Sequence, residues 1–289
     1  MVRRNENLAG YGFLSAFLVV YLVFTVFPVV QAGFMSLHSW DLLSLDRRFV
    51  GLSNYVEMLG NDAAFWSSLG NTFQFVLISS PLIIVVGLLF ALGVSKTGAT
   101  VVRTMLFSPY VLSVAVATLV WGFLFNPDQG LFSAVFRVFR MTPWSWLTNP
   151  DLAMYAIVIT TLWWTVGFNM VLFIAGLQDI DPHLYEAAMI DGAGRLNRFL
   201  HVTIPGLRRT LTLVTILQVI ASFQIFGQVY IMTRGGPAGT TRVLIQYIYE
   251  TGFRDFRLGY ASAVSVVLFI LMFAASLIQL RISNREESI

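Results

Sequence analysis

Residues 186 to 205 read EAAMIDGAGRLNRFLHVTIP and lie between two long apolar stretches of the chain. Their pattern is typical of folded structure rather than of a flexible connection. Asp181 and Pro182, just before them, predict a helix start, because a carboxylate caps free backbone amides and proline at the first helical position loses no useful N–H. Gly192 then permits a tight turn. The segment therefore predicts two short helices joined by a glycine turn.

Long charge-free stretches lie on either side of this segment. A helix needs about 20 mostly apolar residues to cross ~30 Å of hydrocarbon. Six stretches meet this requirement, at about 11–37, 71–94, 104–125, 154–175, 210–232 and 259–280. All 33 Asp, Glu, Lys and Arg residues fall outside them, and a charge at the bilayer centre costs at least ~2.5 kcal/mol. We therefore predict an all-α membrane protein with six transmembrane helices in a single transmembrane domain, 1–289.

The composition supports a membrane location and excludes several classes of protein. Apolar residues make up 57% of the chain and charged residues 11%, whereas about a quarter of a soluble domain is charged. The net charge of +3 gives no reason to expect nucleic-acid binding. The absence of cysteine excludes disulfides, thiol catalysis and thiolate metal sites. The three histidines lie in loops without metal-ligand spacing, so we predict neither a catalytic residue nor a metal site.

The first apolar stretch follows Arg3 and Arg4 and has two possible interpretations. A secretory signal peptide has an apolar region of about 7 to 15 residues. Residues 13–30 run without a charge and exceed that length. We therefore expect a retained membrane anchor.

Six crossings place both termini on one side of the membrane. The loops on that side, 1–10, 95–103, 176–209 and 281–289, carry ten of the 18 basic residues. Short loops rich in Arg and Lys tend to remain in the cytoplasm. The charge distribution therefore favours cytoplasmic termini and a cytoplasmic loop 176–209.

The chain lacks a nucleotide-binding loop of the P-loop type. That loop needs G-x-x-x-x-G-K-[ST], because glycine amides cradle the phosphates and the lysine neutralises them. Lys96-Thr97 is the only candidate pair, and Phe90 and Ser95 stand where the glycines are required. Any ATP hydrolysis that drives this protein must therefore take place on another chain.

Three motifs of the loop 176–209 together resemble a known pattern. They are Glu186-Ala187-Ala188, Asp191-Gly192-Ala193 and Val202-Thr203-Ile204-Pro205. Their spacing is similar to the E-A-A loop of binding-protein-dependent ABC importer permeases, in which E-A-A is followed by three residues, G, nine residues and I-x-L-P. Val202 and Ile204 depart mildly from it. The resemblance implies the type I ABC importer permease fold and a role in coupling to an ATPase for Glu186, Ala187, Ala188, Asp191, Gly192, Ala193 and Pro205.

Further motifs resemble the carbohydrate-importer branch of these permeases. They include FVGLSNY at 49–55 and Gly235-Gly236-Pro237, the latter similar to the first of two unlike permeases in maltose and glycerol-phosphate importers. The resemblance implies a bacterial or archaeal cytoplasmic membrane, a second permease subunit, two ATPase subunits and an extracytoplasmic sugar-binding protein. It implies no cofactor on this chain, with ATP and Mg²⁺ on the ATPase subunits.

Neutral polar and aromatic residues in the fourth and fifth stretches are candidates for a sugar path. Aromatic faces stack on sugar C–H groups while amides and hydroxyls bind sugar hydroxyls. The resemblance implies substrate contacts at mid-membrane positions of these two spans, here Thr161, Trp164, Thr165, Phe168, Gln218, Ala221 and Ser222. We expect Gln224 and Gln228 on a neighbouring face. The alternative role is hydrogen bonding between helices, which is common for Thr, Ser and Gln in membranes.

Three other functions compete with sugar import. The importer could carry another polar solute such as glycerol phosphate, but the spans hold no Arg or Lys to favour its phosphate. An ATP-independent secondary transporter is disfavoured because no titratable Asp, Glu, Lys, Arg or His relays a proton there, although sodium coupling through neutral oxygens would need none. A membrane enzyme is disfavoured because Asp179, Asp181, Glu186 and Asp191 are better explained by capping and by the E-A-A motif.

Overall fold

The structure, a computed structural model, describes residues 14–41, 43–44, 47–95 and 100–285. Helices dominate it: α1 (Leu14–Ser36), α2 (Ser53–Asn61), α3 (Ala63–Ser95), α4 (Thr100–Val111), α5 (Val114–Leu124), α6 (Leu131–Val138), α7 (Ala153–Gln178), α8 (Pro182–Ile190), α9 (Arg195–Arg198), α10 (Ile204–Gly206), α11 (Arg208–Phe223), α12 (Gly227–Met232), α13 (Leu244–Tyr249) and α14 (Leu258–Arg285). π-helical turns occupy Leu22–Val26, Phe199–Thr203 and Glu250–Arg254. Strands β1 (His38–Trp40) and β2 (Arg47–Phe49) pair antiparallel, with His38 opposite Phe49.

Five helical segments of the described chain are long and apolar enough to cross a membrane. They are Leu14–Ser36, Ala63–Val94, Ala153–Gln178, Arg208–Met232 and Leu258–Ile282. The pair α4 and α5 passes the same test only when its two helices are taken together, and it brings the total to six. The first predicted stretch starts at residue 11, which lies outside the described residues.

The third predicted stretch, 104–125, is not one straight helix. α4 ends at Val111, α5 begins at Val114, and the two helix axes are bent by 99°. Pro109 lies inside the last turn of α4 and removes a backbone donor there. Ser113 then adopts an extended conformation, and its Oγ accepts a hydrogen bond from the Val116 amide at 3.4 Å, which starts α5. Hydropathy alone does not reveal this break because both halves are apolar.

The fifth predicted stretch, 210–232, is also interrupted. α11 ends at Phe223 and α12 begins at Gly227, with Phe226 at φ −145° between them. The helical periodicity of α11 therefore does not continue to residue 228. As a result, Gln224 is exposed and Gln228 is buried, so the expectation that these two share one face is wrong.

The remaining differences concern helix ends. α3 begins at Ala63, eight residues earlier than expected, because Asp62 caps it by accepting a hydrogen bond from the Phe65 amide at 2.9 Å. The predicted loop 38–70 contains the β1–β2 hairpin and α2. The fourth and sixth predicted stretches, 154–175 and 259–280, lie wholly within α7 and α14.

The described chain forms two compact units, and the expectation of one domain stays a prediction. The first unit comprises Met1–Phe65 and Tyr247–Ile270. The buried Asn54 amide joins α2 to the end of α1, since its Nδ2 donates to the carbonyls of Ser36 at 2.8 Å and His38 at 3.1 Å. Arg257 forms an ion pair with Glu57, in which its Nη2 donates to both carboxylate oxygens, at 2.7 and 2.8 Å.

Asp62 is the centre of a polar cluster in the first unit. The hydroxyls of Tyr247 and Tyr260 both donate to its Oδ2. Burial alone would raise the pKa of Asp62, but these bonds and the amides of Phe65 and Ala64 outweigh it and hold the pKa below its ordinary value. Burial and the neighbouring carboxylate raise the pKa of Tyr247 to about 12. The cluster therefore retains an ionised carboxylate bound by two neutral phenols.

The second unit comprises Trp66–Gln246 and Leu271–Ile289 and contains the candidate site. One apolar core of this unit gathers Phe75, Ile157 and Val229 with their neighbours, and another gathers Ala91, Phe173 and Val214. Helices α3, α7, α11 and α12 meet in these two cores. They pack around the middle of α7 and α11, where the sequence predicts the path.

Candidate functional site: a mid-membrane cavity and an exposed short helix

A cavity of about 150 Å³ lies at the middle of α7 and α11. Its walls are aromatic, aliphatic and neutral polar side chains. They are Phe75, Tyr110, Thr161, Trp164, Thr165, Phe168, Asn169, Leu217, Gln218, Ala221, Ser222, Ile225 and Gln228. The structure thus brings all seven residues of the predicted path around one cavity.

Helical spacing explains how α7 presents its four predicted residues to the same cavity. Thr161, Trp164, Thr165 and Phe168 occupy positions i, i+3, i+4 and i+7 of the helix, which places them on one face. The hydroxyls of Thr161 and Thr165 bond back to the carbonyls of Ile157 and Thr161, at 2.8 and 2.7 Å. Each hydroxyl oxygen keeps acceptor capacity for a solute after donating its proton.

A buried hydrogen-bond network fixes the polar wall that α11 contributes. Asn169 Nδ2 donates to Gln218 Oε1 at 2.8 Å, and Gln218 Nε2 donates to Ser222 Oγ at 3.1 Å. Ser222 Oγ also accepts from Ser80 at 3.0 Å and lies 3.2 Å from the hydroxyl of Ser79. Gln218 therefore joins α7 to α11 as well as lining the cavity, so interhelical bonding, the alternative raised from the sequence, is part of its role.

The bent pair α4–α5 supplies the aromatic wall. The Trp164 indole donates to the carbonyl of Leu112 at 3.0 Å, which satisfies a backbone acceptor freed by the break. The Tyr110 ring stacks on Phe168 with centroids 4.8 Å apart and an interplanar angle of 17°. The break thus turns the end of α4 towards the cavity and adds Tyr110 to the predicted aromatic residues.

Three polar lining residues were missed from the sequence. Asn169 lies four residues after Thr165, so the same helical-face argument that selected Thr165 would have found it. The local sequence around Gln228 and Tyr110 does not indicate that they line the cavity, because each reaches it only through a helix break that the apolar pattern conceals. None of the described residues around the cavity is an Asp, Glu, Lys, Arg or His, so its walls suit an uncharged polar solute.

The loop between α7 and α11 forms the second part of the candidate site. Asp181 Oδ1 accepts from the His183 amide at 2.9 Å and caps α8, which carries Glu186, Ala187 and Ala188. Asp191 ends α8, and Gly192 follows at φ +77°.

The glycine turn is closed by a bond typical of helix C-termini. The Ala193 amide donates to the Ala188 carbonyl at 2.9 Å, and the left-handed Gly192 permits this return. The chain continues through α9, a π-helical turn and α10, which contains Pro205. The predicted pair of short helices joined by a glycine turn is therefore confirmed, although α8 extends to Ile190 and the second helix is prolonged by the π-helical turn.

Most side chains of α8 are exposed. Leu184, Met189 and Ile190 are 53%, 51% and 86% exposed, and Glu186 is exposed beside His183 at 3.4 Å. Tyr185 anchors the helix from the other side, because its hydroxyl lies 3.0 Å from Thr203 Oγ1. Such exposed apolar residues on a rigid short helix are typical of a docking surface.

The chain shares its sequence pattern with a known protein family. Residues 83–287 match the family described as binding-protein-dependent transport system inner membrane component. The chain belongs to this family. It is therefore a multi-pass inner-membrane permease component of such a transport system.

Several relatives are similar to this permease over nearly its full length. The probable ABC transporter permease protein YurN of Bacillus subtilis is 32% identical over 99% of this chain and 100% of its own. The trehalose/maltose transport system permease protein MalF of Thermococcus litoralis is 33% identical, covering 98% of this chain and 96% of its own. The sn-glycerol-3-phosphate transport system permease protein UgpA of Brucella abortus is 35% identical, covering 97% and 96%.

A solved structure has the same fold. The crystal structure of a bacterial ABC transporter involved in the import of the acidic polysaccharide alginate contains a chain that superposes with a TM-score of 0.83. The match covers 97% of this permease and 96% of that chain at 19% identity. The permease therefore has the type I ABC importer permease fold predicted from the E-A-A motif.

Proposed function

We propose that this permease forms half of the membrane path for a neutral sugar in an ATP-driven importer. The observation that carries the proposal is the mid-membrane cavity, whose described walls combine a stacked Tyr110–Phe168 pair with neutral hydrogen-bonding groups and no formal charge. Stacking faces beside amides and hydroxyls suit a solute with apolar C–H patches and many hydroxyls. The trehalose/maltose permease among the relatives supports the same class of substrate.

The size of the cavity supports a second permease subunit. Sites for small molecules usually enclose about 300 to 1,000 Å³, whereas this cavity measures about 150 Å³. A second permease would supply the facing wall. An extracytoplasmic binding protein would deliver the sugar, as in the alginate transporter solved with its alginate pentasaccharide-bound periplasmic protein.

Energy enters, in this proposal, through the exposed short helix. The permease lacks a P-loop, so two ATPase subunits carry ATP and Mg²⁺, and no cofactor is needed on this chain. Leu184, Met189 and Ile190 would pack in a groove of one ATPase subunit, while Glu186 orients the contact. This arrangement requires α8 and both termini to lie in the cytoplasm.

Glycerol phosphate is the alternative substrate, and one observation favours it. The sn-glycerol-3-phosphate permease is 35% identical to this chain. A phosphate dianion favours Arg or Lys nearby, and none of the described cavity residues is either. Competition of uptake by a neutral sugar or by glycerol phosphate distinguishes the two.

A matched pair of isosteric substitutions on α7 tests the path. Thr165→Val removes a hydroxyl from the cavity wall. Thr160→Val removes a buried hydroxyl that does not line the cavity and that, like the hydroxyl of Thr165, donates to the carbonyl four residues earlier, here Ala156 at 2.9 Å. One lost hydrogen bond to the sugar is worth about 0.5 to 1.5 kcal/mol. We expect Thr165→Val to lower sugar uptake per assembled complex roughly twofold to tenfold, with Thr160→Val close to the wild type.

Gln218→Leu serves as a second variant, because it removes both a cavity group and the Asn169 acceptor. We expect it to lower uptake and thermal stability together, while Gln224→Leu, at an exposed position just after the end of α11, changes neither. The sugar path would be refuted if Thr165→Val and Thr160→Val gave equal uptake and Gln218→Leu lowered thermal stability without lowering uptake. The hydrogen-bond network would then serve helix packing alone.

A further inference from the structure

A larger cavity of about 550 Å³ lies beside the short helices of the loop. It is separate from the mid-membrane cavity, and no lining residue is common to the two. Its walls come from the ends of two spans and from the loop that joins α7 to α11. The lining includes Leu92, Gln178, Tyr185, Arg195, Arg198, Phe199 and Thr203.

The position of this cavity is at the membrane surface. Leu92 lies three residues before the end of α3 at Ser95, and Gln178 is the last residue of α7. Both helices are long and apolar enough to cross the bilayer, so their common end lies near the lipid headgroups. The cavity therefore lies at the height of the lipid headgroups.

Two arginines give the cavity its charge. Arg195 and Arg198, three residues apart on α9, both line it, and like charges at this spacing destabilise a helix. Within the described chain neither guanidinium makes an ion pair or a hydrogen bond. Two acids of the loop are engaged elsewhere, since Asp181 caps α8 and Glu186 lies beside His183. The arginines therefore present two positive charges to an anion from outside the chain.

The remaining walls match the other parts of a phospholipid. Leu92 and Phe199 provide apolar surface for acyl chains, and Tyr185 and Thr203 place two mutually bonded hydroxyls, 3.0 Å apart, beside the arginines. Guanidinium groups bind phosphate oxygens bidentately. Basic pockets between span ends are the sites that anionic headgroups occupy.

We infer that this cavity binds an anionic phospholipid, with a headgroup of two phosphates such as that of cardiolipin matched to the two arginines. The bound lipid holds α8 and α9 at a fixed height against the membrane surface. It neutralises the Arg195–Arg198 repulsion at the same time. The inference depends neither on the transported solute nor on the side of the membrane.

The test is cardiolipin binding to the purified full-length chain in neutral detergent, measured by native mass spectrometry. Each basic residue near an anionic surface contributes about fivefold in affinity, so Arg195→Gln with Arg198→Gln should weaken binding about 30-fold. Arg209→Gln with Arg281→Gln is the charge-matched control, because both arginines are exposed and neither lines the cavity. We expect the control to bind as the wild type does, and phosphatidylethanolamine to bind weakly to all three.

Other outcomes would overturn the inference. Equal cardiolipin binding by the double variant and the control excludes the arginine cavity as the site. Inorganic phosphate that binds as tightly as cardiolipin identifies a soluble anion as the ligand instead. If the double variant binds lipid as the wild type does but no longer co-purifies with a protein subunit, the two arginines bind a protein partner instead.

Two further measurements test the inference even if the double variant does not fold. In the wild type, higher ionic strength should reduce the rise in unfolding temperature that cardiolipin produces; a rise insensitive to salt would overturn the inference. Arg195→Lys with Arg198→Lys keeps the charge but loses the bidentate geometry, and we expect binding between that of the wild type and that of the glutamine pair.

Discussion

Gly167 is the position where the structure makes its sharpest prediction. Helix α4 packs so closely on α7 there that a Cβ at residue 167 would lie 2.2 Å from the carbonyl oxygen of Leu106 and 2.7 Å from the Cα of Phe107. Non-bonded heavy atoms pack at about 3.5 to 4.0 Å. The atoms met are backbone, which cannot rotate away, so Gly167→Ala must push α4 outward by about 1 Å.

The magnitude follows from two opposing effects. Overpacking a tight contact costs about 1 to 3 kcal/mol, and alanine is favoured over glycine within a helix by about 0.5 to 1 kcal/mol. The net loss is about 1 to 2 kcal/mol, which corresponds to a Tm lowered by roughly 3 to 6 °C. Uptake should fall as well, because the displaced helix carries Tyr110, whose ring stacks on Phe168 at 4.8 Å.

Gly122→Ala is the matched control for this prediction. Gly122 lies within α5, and a Cβ there meets nothing within 4 Å. The same chemical change should therefore raise the Tm by roughly 1 to 3 °C. Thermal unfolding of the purified permease, followed by tryptophan fluorescence, measures both. A Gly167→Ala protein as stable as Gly122→Ala would refute the close approach of α4 and α7.

Three further predictions concern other parts of the chain. Because the pKa of Asp62 is lowered, its carboxylate stabilises the first unit fully above about pH 4, and this stabilisation is lost as the pH falls through the folded-state pKa. Asp62→Asn should therefore remove the loss of stability on the acid side in unfolding measured against pH. The same substitution should lower the free energy of unfolding by about 1 to 2 kcal/mol at neutral pH. Gly192→Asp should leave the complex assembled but lower ATP-driven uptake, because Gly192 has φ +77° and a side chain there redirects α8; full uptake by a well-expressed variant would contradict a coupling role. Cysteines at Asn197 and Gln129, both exposed in a chain without native cysteine, should be labelled by an impermeant thiol reagent from the cytoplasmic and outer sides respectively; the reverse labelling would invert the topology.

The sequence was sufficient to predict the walls of the cavity that come from unbroken helices. Thr161, Thr165 and Phe168 share a face of α7 because an α-helix repeats every 3.6 residues, and Gln218 and Ser222 share a face of α11 for the same reason. The loop 176–209 was also predictable, because Asp181 and Gly192 have conformational roles that depend on local sequence alone.

The broken helices could not be predicted in the same way. Hydropathy indicates whether a stretch of sequence can lie in lipid, and both stretches stay free of charged residues across Leu112-Ser113 and between Phe223 and Gly227. The first break is stabilised by a partner distant in sequence, because Trp164 donates to the freed carbonyl of Leu112. Tyr110 and Gln228 therefore became visible as cavity residues only in the folded chain.

The two halves of the candidate site are joined by unbroken helix. From Phe168 to the end of α7 at Gln178, and from the start of α11 at Arg208 to Gln218, the chain runs ten residues each way, which is about 15 Å of helix. The two helices touch where a Cβ on Gly176 would lie 2.2 Å from Thr210 Oγ1, and they are hydrogen-bonded at the cavity through Asn169 and Gln218. The short helices connect these two helices, and under the proposed coupling role a displacement of α8 would move α7 against α11. The Asn169–Gln218 bond lies where that movement changes the cavity wall.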